Sequence, residues 1–147
     1  MSRPETVIRK ANLADVPQLK QCMDRAYAPL RTRLPDLPDV SGGLAEEIRK
    51  RIVLVAEIDG GVAGCAILDK AGSGAHLVNI AVDPGFKGRG IGKTLMEAAE
   101  NRARLDGASV IALATHKDIP ENVALYQHLG WSETSRKGNK VLMEKKL

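Results

Sequence analysis

The residues best equipped for chemistry in this 147-residue chain are glycines interleaved with cations, Lys87-Gly88-Arg89-Gly90-Ile91-Gly92-Lys93. They follow a short apolar strand and an Asp83-Pro84 turn and open a helix, where the first backbone N–H groups lack intrahelical partners and the helix dipole is positive. An anion set there finds donors without needing side chains. Glycine at 88, 90 and 92 lets the backbone come close, and Lys87, Arg89 and Lys93 add charge beside it, so the chemistry on offer is binding of a phosphate or diphosphate. His76 begins the strand that leads into this run and offers an imidazole able to accept a proton near neutral pH. Asn122 and Tyr126 are four apart and share one helix face.

Spacing separates the nucleotide-binding patterns that compete for the glycine run. Gly-x-x-x-x-Gly-Lys-[Ser/Thr] is met at Gly92-Lys93-Thr94, but its first glycine falls on Lys87. Gly-x-Gly-x-x-Gly fails from Gly88, where position 93 is lysine, and from Gly90, where position 95 is leucine. The run instead resembles the acyl-CoA loop of the GCN5-related N-acetyltransferase (GNAT) superfamily, Gln/Arg-x-x-Gly-x-Gly/Ala between a strand and a long helix. Lysine at the first position keeps the charge of that pattern and loses a planar, forked donor. A second segment, Asn122-Val123-Ala124-Leu125-Tyr126-Gln127-His128-Leu129-Gly130-Trp131, is similar to the family's Asn-x-x-Ala/Ser-x-x-Leu-Tyr-x-x-x-Gly-Phe, with a three-residue spacer from Asn122 to Tyr126 and tryptophan in place of phenylalanine.

The resemblance implies acetyl-CoA as cosubstrate, no metal, and direct attack of a primary amine of a small molecule or peptide on the thioester. It assigns Lys87, Gly88, Arg89, Gly90, Ile91, Gly92 and Lys93 to the CoA diphosphate, and the backbone of Ile80, Ala81 and Val82 to the pantetheine arm and acyl oxygen. Asn122 would face the cofactor, Tyr126 would be the general acid on the CoA sulfur, and His76 matches in position the general base of some branches. A strand-end histidine facing solvent is the alternative for His76, packing of its ring under the sheet is the alternative for Tyr126, and His116 is a weaker rival base. Two other functions stay open: a non-catalytic acyl-CoA-binding or regulatory module on the same fold, and a P-loop phosphotransferase, which Lys87 disfavours.

The elements that must position these residues are readable from periodicity and punctuation. Thr6–Lys10 reads as a strand, and Asn12 with Asp15 caps a helix from about Leu13 to Ala28 that Pro29 ends. Leu30–Gly43, with Pro35, Pro38 and Gly42-Gly43, reads as an irregular segment bordering the acceptor, whose Arg31 and Arg33 suit a carboxylate and whose Asp36 and Asp39 suit a cation. A short helix, Leu44–Lys50, precedes a hairpin, Ile52–Ile58 and Val62–Leu68, turning at Asp59-Gly60-Gly61. Ala71–Gly74 reads as a flexible connection and His76–Val82 as the strand feeding the glycines. The helix from Ile91 to about Leu105 sets Ile91, Leu95, Ala98, Ala99, Ala103 and Leu105 toward a core and ends at Asp106-Gly107. Ser109–Ala114 then makes a right-handed parallel unit with the strand before the helix. A helix from about Pro120 to Leu129 and strands at Trp131–Ser135 and Lys140–Lys145 complete an α+β, three-layer order. It matches the GNAT-like mixed, mostly antiparallel central sheet with helices on both faces.

Composition bounds the rest. The length predicts one domain, residues 1–147, with a core that needs no disulfide or metal staples. Cys22 and Cys65 have no Cys-x-x-Cys spacing or histidine cluster, and neither is placed for a covalent intermediate, so both read as buried thiols in a reducing compartment. The N-terminus lacks an apolar leader and no window approaches 18 apolar residues, so no membrane partner and a cytoplasmic location are expected. The net charge of +4 comes from 22 basic and 18 acidic residues. They are interspersed, and with few aromatics for stacking they argue for a small polyanionic cofactor rather than nucleic acid. A homodimer is left open.

Overall fold

The first strand, β1 (Val7–Lys10), is short, and a helix start signal lies directly after it. In the computed structural model, which describes residues 5–37 and 41–147, the Asn12 side chain accepts from Ala14 N–H at 3.0 Å, and Asp15 accepts from Asn12 N–H at 2.8 Å. This reciprocal pair closes a 3₁₀ turn, Leu13–Asp15, from which helix α1 (Val16–Arg33) continues. Arg9 forks onto both Asp15 oxygens at 2.8 Å, tying β1 to the helix start. Leu19, Cys22 and Met23 form the buried side of α1, and burying an apolar chain of that size contributes roughly 1.5–3 kcal/mol. Pro29 does not end the helix as expected. It costs only its own N–H bond, and because Pro29 is exposed, water can take up the carbonyl left behind. The helix therefore runs a further turn, until Leu34 N–H closes on the Leu30 carbonyl at 2.7 Å. Helix α2 (Leu44–Lys50) has the predicted bounds.

Strands β2 (Ile52–Ile58) and β3 (Gly61–Ala71) meet across Asp59-Gly60, both at positive φ (52° and 78°), the two-residue turn whose twist suits a hairpin. Val53–Ala56 and Ala63–Ile67 are buried without alternation, which requires cover on both faces of the sheet. The connection to β4 (Gly74–Val82) is also tight rather than flexible, with Gly72 at φ 61°. Helix α3 (Ile91–Leu105) ends as expected: Gly107 at φ 90° lets its N–H reach Arg104 and the next N–H reach Ala103. Its buried stripe is Ile91, Leu95, Met96, Ala99 and Ala103. Leu105 is 84% exposed rather than inward, because six positions past Ala99 the helix has turned it off that stripe.

β5 (Val110–His116), α4 (Pro120–His128), β6 (Ser132–Lys137) and β7 (Lys140–Lys146) complete the chain. Among the described residues, seven strands make one mixed sheet in the order β1-β2-β3-β4-β5-β7-β6, accompanied by four α-helices. β5 pairs antiparallel with β7 along its whole length, and β6 pairs with β7 through an irregularity between Glu133 and Ser135. β6 is exposed at every position, and its charges blunt an open edge. β4 and β5 are parallel, and their paired positions are Ala75↔Ile111 and His76↔Ala112.

The chain divides into two compact units, Met1–Ile67 with Asn79–Ala99, and Leu68–Val78 with Glu100–Leu147. β3, β4 and α3 each pass from one unit into the other.

Candidate active site

In the first unit the end of β4 turns into the glycine run. Ala81 is buried while Ile80 and Val82 are half-buried, the alternation a pleated strand imposes. Asp83, only 5% exposed, stops the strand in a defined way. Its N–H donates to the Ala63 carbonyl at 2.8 Å, and its Oδ1 accepts from Gly85 N–H at 2.8 Å. Its Oδ2 lies 3.2 Å from Arg25 Nη1. This closes the 3₁₀ turn Pro84–Phe86, after which Lys87 is extended and Gly88 and Gly90 take φ of 81° and 71°. Those angles favour glycine, so these two residues are required by the backbone itself. The Arg89 guanidinium sits 5.3 Å from the centre of the Phe86 ring, which orients a charge that is otherwise exposed.

Thr94 N–H and Oγ1 both donate to the Gly90 carbonyl at 3.0 Å. The N–H groups of Ile91, Gly92 and Lys93 precede that first helical bond and are donors of the helix start. Gly92 differs from its two glycine neighbours. Its φ is not positive, and an added Cβ would meet Val82 Cγ2 at an ordinary 3.7 Å. Neither backbone nor packing demands glycine there. Gly64 is the reverse case: a Cβ on it would come 2.8 Å from the Ala81 carbonyl oxygen and 2.9 Å from Leu95 Cδ1. Its bare backbone lets the first turns of α3 lie close on β3 and β4.

The second unit holds the other predicted residues. His76 is exposed on β4 opposite Ala112. Asn122 and Tyr126 lie one turn apart on α4. Asn122 Nδ2 donates to Thr115 Oγ1 at 3.4 Å, and the Tyr126 ring is half-buried, 6.1 Å from the Trp131 ring. Burial pushes the Tyr126 phenol above its usual pKa, so it stays a proton donor well past neutrality. Trp131 is 2% exposed, and its backbone N–H donates to the Tyr126 carbonyl at 2.9 Å. Lys145 closes the end of α4 by donating to the Leu129 carbonyl at 2.9 Å and pairing with buried Glu100, also at 2.9 Å. His116, the last residue of β5, is occupied by the turn that follows it, where Nδ1 accepts from Asp118 N–H at 3.0 Å.

The structure thus groups Ile80–Val82 with Lys87–Lys93 in one unit and His76, Asn122 and Tyr126 in the other. Arg31 and Arg33 occupy the last turn of α1, not a loop, and Asp36 lies in the turn after it. Pro38 and Asp39 lie outside the described residues. Among the described residues, no three His, Cys, Asp or Glu cluster as metal ligands, and no helix is long and apolar enough to cross a membrane.

A family model described as Acetyltransferase (GNAT) family matches residues 19–131. The chain belongs to the GNAT acetyltransferase family. An IAA acetyltransferase of Azospirillum brasilense is 31% identical over 135 residues, covering 87% of this chain and 84% of that protein. A [ribosomal protein bS18]-alanine N-acetyltransferase of Salmonella typhimurium is 33% identical over 81 residues, a match that spans 55% of each chain. The PaiA N-acetyltransferase of Thermoplasma acidophilum, solved in complex with coenzyme A, has the same fold, with a TM-score of 0.88 at 21% identity over 97% of this chain and 99% of that one. Within this GNAT chain, sequence reasoning passed over Gly64, Arg25, Tyr27, Asn79 and the anchoring role of Asp83. Only Asp83 carried a local signal, an aspartate two residues before a glycine. The others meet partners far away in sequence.

Proposed function

We propose that this protein is an acetyl-CoA-dependent N-acetyltransferase that moves an acetyl group to a primary amine of a small molecule or peptide. The observation that carries this reading is the start of α3: three N–H groups ahead of the first helical bond, glycines at positive φ, and exposed Lys87, Arg89 and Lys93 around them. Such a start suits the diphosphate of CoA. The absence of any packing need for glycine at 92 supports it, because a small residue there leaves room for a ligand. Further support is that the β5 ladder pairs with β4 at Ala75 and His76 while β4 runs on to Val82. The backbone of Ile80–Val82 is therefore offered to the pantetheine arm and the acyl oxygen. The matched family, the IAA acetyltransferase relative and the CoA complex of the structural relative point the same way.

In the reaction the neutral amine attacks the thioester carbon, the C–S bond breaks, the amine loses a proton and the CoA thiolate takes one up. Backbone N–H groups of Ile80–Val82 meet the charge that develops on the acyl oxygen. The Tyr126 phenol, kept neutral by burial, supplies the proton to sulfur, Asn122 faces the cofactor, and His76 takes the proton from the amine.

The test is calorimetry with acetyl-CoA and ATP, followed by a CoA-release screen over amino acids, polyamines and peptide N-termini, alanine peptides included. Acetyl-CoA binding with release on at least one amine is the expected result. Binding of ATP with no binding of CoA would sink the reading, and CoA binding with no release on any amine would make the protein a binding module. Tyr126→Phe is expected to lower kcat roughly hundredfold while leaving acetyl-CoA affinity within a few-fold. Because its phenol is raised, wild-type kcat should hold with rising pH up to about 10, the ordinary tyrosine value, before it declines.

A further inference from the structure

Helix α1 reaches β4 and the turn after it at two places, one on each side of Ile80–Val82. The Tyr27 hydroxyl donates to Asn79 Oδ1, on the residue just before Ile80. Arg25 Nη1 pairs at 3.2 Å with Asp83 Oδ2, on the residue just after Val82. Positions 25 and 27 project about 100° to either side of 26 on a helix. Leu19, Cys22 and Met23 mark the buried side of α1, and half-buried Ala26 continues that stripe. A small residue thus lies on the inward line, and two long side chains reach out from opposite flanks of it. The Asp83 carboxylate is almost wholly buried while Arg25 remains half-exposed, so removing the guanidinium would leave a desolvated charge and force the turn to move.

We infer that Arg25 and Tyr27 are positioning residues, a two-point clamp that holds the Ile80–Val82 backbone at both ends. The inference rests on the acetyl-transfer reading, in which those N–H and C=O groups meet the acyl oxygen and the pantetheine arm. Donors of that kind act only when held close to the geometry of the transition state, so slack in the strand lowers rate more than affinity. Neither side chain touches the reacting atoms in this scheme; each acts through Asn79 or Asp83.

The experiment compares the full-length wild type with Tyr27→Phe, Arg25→Gln and Arg25→Lys. It reads amide hydrogen exchange at Ile80, Ala81 and Val82, the melting temperature, and kcat and KM on an amine found in the screen. For Tyr27→Phe and Arg25→Gln, exchange at the three amides is expected to rise about tenfold and kcat to fall about ten- to hundredfold, with KM for acetyl-CoA within about twofold. Arg25→Lys should recover most of both effects. Unchanged exchange at the three amides would overturn the clamp, as would exchange that rises equally throughout the chain with a general loss of melting temperature. A wild type that neither binds acetyl-CoA nor releases CoA would defeat the proposed function instead, and the exchange comparison would still decide the clamp.

Discussion

At the scale of single residues, the glycines of the α3 start fall into distinct physical roles. Gly88 and Gly90 are glycine because their φ angles are positive, and the alternation with basic residues made that legible, since a turn's backbone demands are local. Gly92 has no such demand, which predicts a separation of stability from binding. Gly92→Ala should leave the melting temperature unchanged or raise stability by up to about 1 kcal/mol, as alanine is the better helix former. The same change should weaken acetyl-CoA roughly tenfold by crowding the diphosphate. Thermal melts and titration calorimetry on one variant check both halves. Loss of stability with unchanged affinity would mean that the residue serves the fold. Tyr27 and Asn79 could not be read in this way. Their bond joins positions 52 apart in sequence, and nothing in the neighbourhood of either residue announces the other.

At the scale of elements, local signals placed most helices and strands within a few residues, and the departures share a cause. Pro29 reads as a terminator because it lacks an N–H, yet on an exposed face that loss is confined to one bond and α1 continues through it. Leu105 reads as a core position because it is leucine, yet it belongs to the wrong side of α3. In both cases the surrounding solvent or core decides, and a residue's type does not report it. Gly64 is the element-level counterpart of Gly92. Gly64→Ala drives a Cβ into the Ala81 carbonyl oxygen at 2.8 Å, which a backbone atom cannot yield cheaply. A loss of about 1–3 kcal/mol in chemical denaturation is expected, with weaker acetyl-CoA binding because α3 is pushed off the sheet. Full retention of stability would show that the two elements are less closely seated than the structure has them.

At the scale of the whole molecule, stability is bounded on both sides of neutrality by groups whose pKa values folding shifts. Hydrogen bonds from Arg9 hold the Asp15 carboxyl below the usual carboxylate range, so its contribution is present above that range and is lost as pH falls through it. Burial pushes the Cys22 thiol up to about 11, and Cys65 is raised by burial as well. The unfolded chain releases those protons first, so stability is full below the ordinary thiol pKa and declines as pH rises toward 11. Melts across pH should show a plateau between these limits. Asp15→Asn should flatten the acid slope and Cys22→Ala should reduce the alkaline slope. A wild-type curve with no alkaline decline would contradict the buried-thiol account.

Sequence alone determined the order of the elements, the glycine-rich, basic start of α3 and the placing of Asn122 and Tyr126 on one helix face, because each depends on residues within a few positions of one another. The family that this order and these motifs suggested is the one to which the chain belongs. Tertiary structure alone decided that Asp83 is buried and fastened to Arg25, that Tyr27 meets Asn79, and that Gly64 must be bare. These depend on which distant segments come to lie side by side, and sequence spacing carries no measure of that distance.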